Sequence, residues 1–200
     1  AVSGDGSTIV FESDASNVVS GDANASRDVF VVDRATLTAT RASVANDESE
    51  SGDDSFSASI DEDGDVVAFQ SDAADLIGIN DTNGVRDVYA RNLSTGTTFR
   101  VSVNSSNQQV VLPSFVPSVS DNGLSFAFET DAALVPADDN GQRDVYVRTP
   151  SANQLVYASV DTGGGAANSF SLSASISGDG TRVAFDSHAR DLLAADPNGD

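Results

Sequence analysis

The sequence contains no cysteine, methionine or tryptophan, and because all 10 of its basic residues are arginines it contains no lysine either. Without cysteine the chain cannot form disulfides or bind zinc through thiolates. The arginines stand against 31 acidic residues, and the formal net charge is -21. Nucleic acids and anionic lipids attract clustered cations, so we expect neither as a partner. No apolar run approaches the roughly 18 residues of a membrane span, so we expect no membrane insertion.

Two short motifs recur along the chain at a common interval. The first is an Asp-Gly or Asn-Gly turn that leads to a phenylalanine, and these phenylalanines are Phe11, Phe69, Phe128 and Phe185. The second is Arg-Asp-Val followed by an aromatic residue, and it begins at Arg27, Arg86 and Arg143. Both motifs keep an interval of 57 to 59 residues, which indicates an internal repeat. We place the repeats at about 1–54, 55–113, 114–168 and 169–200, the last incomplete, within one domain.

Each repeat carries four strand signals, named A to D here, and no segment has helical periodicity. Strand A alternates, so we expect its larger residues to share one face: Phe56, Ala58 and Ile60, then Phe115, Pro117 and Val119, then Leu172, Ala174 and Ile176. Strand B is apolar on both faces, which requires a cover on both sides of the sheet. Without helices, neighbouring sheets must supply that cover.

The sequence therefore predicts an all-β protein, a β-propeller array of four-stranded antiparallel blades with three full repeats and half of a fourth. A β-sandwich or a stacked solenoid is the competing architecture. The stretch Ser177-Gly178-Asp179-Gly180 leading to Phe185, with the downstream Arg-Asp-Val-aromatic motif, resembles the TolB-type β-propeller repeats, which are similar in shape to WD repeats. That resemblance covers nearly the whole chain. It implies a binding or scaffolding module, although such propellers usually close with six or more blades.

The loop between strands B and C carries the candidate site. An aspartate is followed by an asparagine two residues later and by a second aspartate after six, in these copies: Asp22, Asn24 and Asp28; Asp81, Asn83 and Asp87; Asp138, Asn140 and Asp144; and, in the incomplete repeat, Asp196 and Asn198. Hard oxygen ligands spaced in this way in a tight turn suit Ca²⁺, which we predict as the cofactor. In the alternative interpretation these side chains form Asx turns, and the nearby arginine pairs with a carboxylate.

Nothing in the sequence indicates a catalytic site. The only histidine, His188, takes a position that aspartate holds in the other repeats (Asp14, Asp72 and Asp131), and no nucleophile elbow is present. Paired apolar residues precede each B–C loop, as in Leu76-Ile77 and Leu134-Val135, and we expect them to pin the loop to its sheet rather than form a binding surface. We therefore expect a protein that is not an enzyme.

Three functions remain open on this basis. The first is an extracellular or cell-envelope scaffold that self-assembles into a homo-oligomer or filament by strand-edge pairing, with Ca²⁺ stabilising the B–C loops. The second is a fragment of a larger secreted or cell-surface propeller that binds a protein or carbohydrate ligand. The third, ranked last, is a hydrolase scaffold or the accessory domain of a peptidase, which would need catalytic residues outside these repeats.

Overall fold

A computed structural model describes residues 1–78 and 81–194, and within them the chain is built from β-strands joined by turns and loops. The strands are β1 Thr8–Ser13, β2 Asp28–Asp33, β3 Thr38–Arg41, β4 Ser55–Ile60, β5 Val66–Ser71, β6 Asp87–Asn92, β7 Thr97–Arg100, β8 Ser114–Val119, β9 Phe126–Thr130, β10 Asp144–Thr149, β11 Gln154–Tyr157, β12 Ser171–Ile176 and β13 Val183–Ser187. A 3₁₀ turn at Pro150–Ala152 precedes β11.

Neighbouring strands in the sequence pair antiparallel into four sheets. The first sheet has the order β1-β2-β3, the second β4-β5-β6-β7, the third β8-β9-β10-β11 and the fourth β12-β13. In the first sheet Val2 forms a bridge with Ile9, as Ile60 pairs with Val67 in the second, so Val2 marks the place of strand A. The prediction of an all-β chain with four-stranded antiparallel sheets is confirmed.

Strand A contains a bulge that the alternation did not reveal. In β4, Phe56 pairs with Gln70 and Ser59 with Ala68, so one extra residue lies between these two pairs. The same shift occurs in β8 and β12. Since an extra residue reverses the alternation, Phe56 and Ile60 lie on opposite faces, and the prediction that they share one was wrong. The residue inside each bulge has a positive φ: 53° at Ser57, 45° at Val116 and 57° at Ser173.

A polar side chain from the preceding sheet holds each bulge. The backbone N–H of Ser57 donates to Glu12 Oε1 at 3.1 Å, that of Val116 to Gln70 Oε1 at 2.7 Å, and that of Ser173 to Glu129 Oε1 at 2.6 Å. These acceptors occupy equivalent positions on strand B, directly after the repeated phenylalanine. Successive sheets are therefore joined by a repeated hydrogen bond next to the strained backbone, which offsets part of its conformational cost.

The sheets pack face to face around equivalent aromatic pairs. Phe11 stacks on Phe30, Phe69 on Tyr89 and Phe128 on Tyr146, with ring centroids 5.7, 6.2 and 6.4 Å apart. In the second and third sheets the pair lies on the face turned toward the preceding sheet. This face, and the equivalent face of the first sheet, is called the back face here; the opposite side is the front face. The back face of the second sheet packs on Val10, Val29 and Val31 of the first, and that of the third packs on Val66, Ala68, Val88 and Ala90 of the second. Phe69 and Phe128 thus have equivalent, fully buried surroundings, as the repeat predicts. Phe11 and Phe185, in the first and fourth sheets, are only half-buried.

Candidate functional site

The site predicted from the sequence lies where the B–C loop enters strand C. The three residues of each copy, called the loop triad here, end on an aspartate that is the first residue of its strand: Asp28 of β2, Asp87 of β6 and Asp144 of β10. These three aspartates are fully buried. The structure brings the residues of each complete triad together, whereas Asp196 and Asn198 lie outside the described residues.

The asparagine of each triad braces two loops. Asn83 Nδ2 donates to Asp87 Oδ2 and to the carbonyl of Val110, both at 2.8 Å, while its Oδ1 accepts from the backbone N–H of Val85 at 3.1 Å. Asn24 and Asn140 make the equivalent three bonds. The Oδ1 bond closes an Asx turn, so that interpretation of the asparagines is confirmed. The amide nitrogen, a donor, faces the carboxylate, and it ties the B–C loop to the following D–A loop.

A serine beyond strand D completes each brace and was not predicted from the sequence. Ser43, Ser102 and Ser159 donate to Oδ1 of the buried aspartate at 2.6, 2.5 and 2.6 Å. Each serine Oγ also accepts from the backbone N–H of the residue after that aspartate, as Ser102 does from Val88 at 3.0 Å. The signal was available, because these serines recur fifteen positions after the aspartate in every complete repeat.

An arginine from strand D lies against both carboxylates in the first two repeats. Arg41 Nη2 is 3.2 Å from Asp22 Oδ1 and its Nε is 3.4 Å from Asp28 Oδ2. Arg100 repeats this with Asp81 at 3.2 Å and Asp87 at 3.3 Å. All of these side chains are nearly inaccessible, at 6% exposure or less. The protein's own guanidinium thus supplies the positive charge that the two buried carboxylates require.

The third repeat has no such arginine. Tyr157 takes the position of Arg41 and Arg100. Ala166 takes the position of Glu50, which pairs with Arg41 at 2.7 Å, and of Gln109, which donates to Asp81 at 2.8 Å. Asp138 accepts a hydrogen bond of 2.5 Å from the hydroxyl of Tyr146, as Asp81 does from Tyr89 in the second triad. The ring of Tyr146 also stacks on that of Tyr157. This triad therefore differs from the other two in keeping two carboxylates without a guanidinium between them.

Burial raises the pKa of both carboxyls in that third triad. For Asp138 and Asp144 the loss of solvation outweighs their hydrogen bonds from Tyr146 and Ser159. A carboxyl whose pKa is higher in the folded than in the unfolded chain binds its proton more tightly when folded. Ionising these groups therefore lowers the free energy of unfolding as the pH rises through the raised values, and a bound cation would reverse that loss.

The calcium assignment stays a prediction at every triad. Among residues 1–78 and 81–194, no three acidic or histidine side chains converge closely enough to hold a metal ion. In the first two triads an arginine already faces the carboxylates, so the geometry favours the third. The arginine of the Arg-Asp motif pairs elsewhere, as the alternative interpretation expected: Arg86 binds Asp72 and Arg143 binds Asp131, both at 2.8 Å.

The other residues singled out in the sequence have structural surroundings. Leu76 and Leu134 are fully buried in the clusters between sheets, so these two residues pin their loops as predicted. His188 stacks on Phe170, with ring centroids 4.4 Å apart. No helix among the described residues is long and apolar enough to cross a membrane.

The comparisons with known proteins concern the fold. No protein-family model and no curated protein matches this sequence. Among solved structures, TolB from Acinetobacter baumannii superposes with a TM-score of 0.54 at 15% identity, over 97% of this chain and 40% of that protein. The chain has the TolB-type β-propeller fold. A tricorn protease aligns with a TM-score of 0.56 at 14% identity, over 92% of this chain and 14% of the protease.

An oligogalacturonate lyase from Vibrio parahaemolyticus aligns at 12% identity with a TM-score of 0.54, over 100% of this chain and 49% of the lyase. This chain therefore spans less than half the length of each of these three proteins. The similarity joins proteins with different activities, so it assigns the TolB-type architecture and no reaction.

Proposed function

We propose that this chain is a non-catalytic β-propeller scaffold, outside the cell or in the cell envelope, that associates head to tail with further copies of itself. The observation that carries the proposal is the accessible apolar back face of the first sheet. There Val2 is 56% and Ile9 37% exposed, whereas Val67 and Phe69, at the positions of Ile9 and Phe11 in the second sheet, are fully buried. The first sheet covers the back face of the second sheet, whereas the equivalent back face of the first sheet is accessible to a partner.

Residue differences at two equivalent positions make the back face of the first sheet more apolar than that of the second. In the second sheet Arg91 Nη2 binds Glu48 at 2.5 Å and Thr98 Oγ1 binds the carbonyl of Val44 at 2.7 Å, both in the D–A loop of the first repeat. In the first sheet those positions are Val32 and Ala39. A partner that binds the back face of the first sheet must therefore present apolar surface, and it does not need to supply a D–A loop.

The fourth sheet offers the complementary surface. Its strand β13 exposes Ala184 and Asp186 on the front face. Asp186 stands at the strand B position that Glu12 and Glu129 hold in the first and third sheets. Among the described residues β13 pairs with β12 alone. Front-to-back contacts between copies give a heterologous interface, which closes as a ring or extends as a filament.

The association is tested by sedimentation equilibrium and light scattering of the 200-residue chain across protein concentrations. We expect the mass to rise with concentration, and Ile9→Asp to shift the midpoint at least tenfold higher by placing a charge in the interface. Leu37→Asp is the matched control, because Leu37 is 78% exposed in the turn between β2 and β3 and the charge change is the same. A monomer at every concentration would reject the proposal, as would equal effects of the two variants.

The calcium site that we propose is the third triad. Ca²⁺ would lie against Asp138 and Asp144, in the role that arginine has in the other two triads. We expect millimolar CaCl₂ to raise the melting temperature of the wild-type chain above its value in EDTA by several degrees. Tyr157→Arg installs the missing guanidinium and should remove most of that difference, while MgCl₂ serves as the ion control. Equal calcium responses in the wild type and Tyr157→Arg would contradict the site.

One observation favours the second candidate, a larger secreted or surface propeller that binds a protein or carbohydrate. This chain matches less than half of the length of TolB and of the lyase, so further sheets of a longer polypeptide could cover the same faces. Mass spectrometry of the natural polypeptide separates the two candidates, because only the longer protein has a mass well above the 20.5 kDa of this chain.

A further inference from the structure

A groove of about 450 Å³ between the third and fourth sheets differs from the equivalent place one repeat earlier. Its walls include Leu112, Phe170 and Leu172, and its charged side is formed by Arg143 with Asp131. One repeat earlier the apolar positions are Asp53, Pro113 and Phe115, in the same order. The groove therefore combines an arginine that recurs in the repeats with apolar wall residues that differ from those of the preceding repeat.

The preceding repeat shows which group fits beside this arginine. The guanidinium of Arg86 lies 4.4 Å from the ring centroid of Phe56 in its own sheet and 5.8 Å from that of Phe115 in the next. Arg143 has the first of these neighbours, with Phe115 at 3.8 Å. The position of the second ring is Leu172, whose side chain is smaller and not planar. The guanidinium of Arg143 therefore has one aromatic ring against it, whereas that of Arg86 has two.

Two carboxylates already lie against the guanidinium of Arg143. Its Nε and Nη2 bind the two oxygens of Asp131 at 2.8 and 3.1 Å, and Nη1 is 3.8 Å from Glu129. An anionic ligand would meet these two carboxylates, whereas a ring stacked on the guanidinium uses its π face and leaves the ion pair intact. The chemistry therefore favours a neutral aromatic group over a carboxylate or phosphate.

The rim of the groove adds exposed apolar surface. Val111 is 78% and Leu112 46% exposed, while Gly52 and Asp53 occupy these positions in the preceding D–A loop. We infer that this groove binds an aromatic side chain of a partner protein, flanked by basic residues that the net charge of -21 attracts. The ring takes the place over Arg143 that Phe115 takes over Arg86, and Leu112 and Phe170 contact its edges.

The probe is the peptide acetyl-Arg-Phe-Arg-amide, titrated into ¹⁵N-labelled protein, with acetyl-Arg-Leu-Arg-amide as the matched control. We expect saturable shifts of the amide signals of Leu112, Gly141, Gln142 and Leu172, and at least fivefold tighter binding of the phenylalanine peptide. Equal affinities for the two peptides would overturn the proposal, since charge alone would then explain the binding.

Two variants locate the site by borrowing residues from the other repeats. Leu172→Phe supplies the ring found at Phe115 and should weaken peptide binding at least tenfold while the melting temperature stays the same or rises. Leu112→Ser copies Ser169 of the next D–A loop, leaves the packed sheets untouched, and should weaken binding at least threefold. Leu124→Thr, copying Thr181 in the turn between strands A and B, removes an equally exposed leucine and should leave the affinity within twofold.

Unchanged binding in both Leu172→Phe and Leu112→Ser would reject the groove as the binding site. The fourth sheet contributes to both the groove and the proposed contact between copies, so self-association needs its own control. The titration is repeated in Ile9→Asp, so that loss of assembly and loss of peptide binding are separate results.

Discussion

Replacing Arg100 by leucine should lower the free energy of unfolding by about 3–5 kcal/mol, because it leaves two buried carboxylates without their counter-charge. The side chains of Asp81 and Asp87 are 3% and 0% exposed beside it. Burial already raises the pKa of Asp87, and Arg100 opposes that rise. Urea unfolding at pH 7 measures the loss. The loss in free energy of unfolding should become smaller as the pH falls, since protonation of the carboxylates then removes the uncompensated charge.

The matched control is Arg27→Leu. Arg27 pairs with Asp14 at 3.0 Å, but the two side chains are 43% and 70% exposed, so water screens the pair. We expect a much smaller change than in Arg100→Leu. Similar losses in the two variants would mean that the buried arginine does not neutralise the loop triad, and the interpretation of the third triad would lose its basis.

Phe128→Ala should cost about 3–5 kcal/mol, the range for truncating a buried phenylalanine in a packed core. Phe128 is fully buried between the second and third sheets and stacks on Tyr146. Calorimetry or urea unfolding measures the cost. A value near 1 kcal/mol would contradict the face-to-face packing that defines this architecture.

Phe11→Ala gives the comparison that links stability to assembly. Phe11 is the equivalent residue of the first sheet, where it is only half-buried. Under dilute conditions we expect roughly half the cost of Phe128→Ala, because less apolar area is lost. At concentrations where copies associate, the cost should approach that of Phe128→Ala, since a second copy would then cover the ring. A cost independent of concentration would contradict coverage by a second copy.

The repeat made most of the architecture predictable. An interval of 57 to 59 residues, an Asp-Gly turn and strands apolar on both faces were sufficient to predict four-stranded antiparallel sheets that cover each other. The turn glycines Gly64, Gly123 and Gly180 have φ of 79°, 66° and 71°, a region that glycine enters at little cost. The bulge in strand A was missed, because Ser57, Val116 and Ser173 carry no signature of a positive φ.

The candidate site was predictable in position but not in chemistry. Asp81, Asn83 and Asp87 come together as their spacing predicts, because they share one short loop. Arg100 and Ser102 reach the same point from strand D, and the sequence separates them from that loop by more than a dozen residues. Whether two carboxylates receive an arginine or remain without one depends on pairing across the sheet, which spacing within the loop does not encode.

By itself the sequence determined the repeat, the sheet type and the loop triads, since all three follow from local patterns that recur at a fixed interval. Only the tertiary structure decided that Arg41 and Arg100 neutralise two triads while Tyr157 leaves the third without a guanidinium. It also decided that Leu172, Phe170 and Leu112 form a groove beside Arg143. These outcomes depend on contacts between strands and sheets, where a residue's role is set by its neighbour in space.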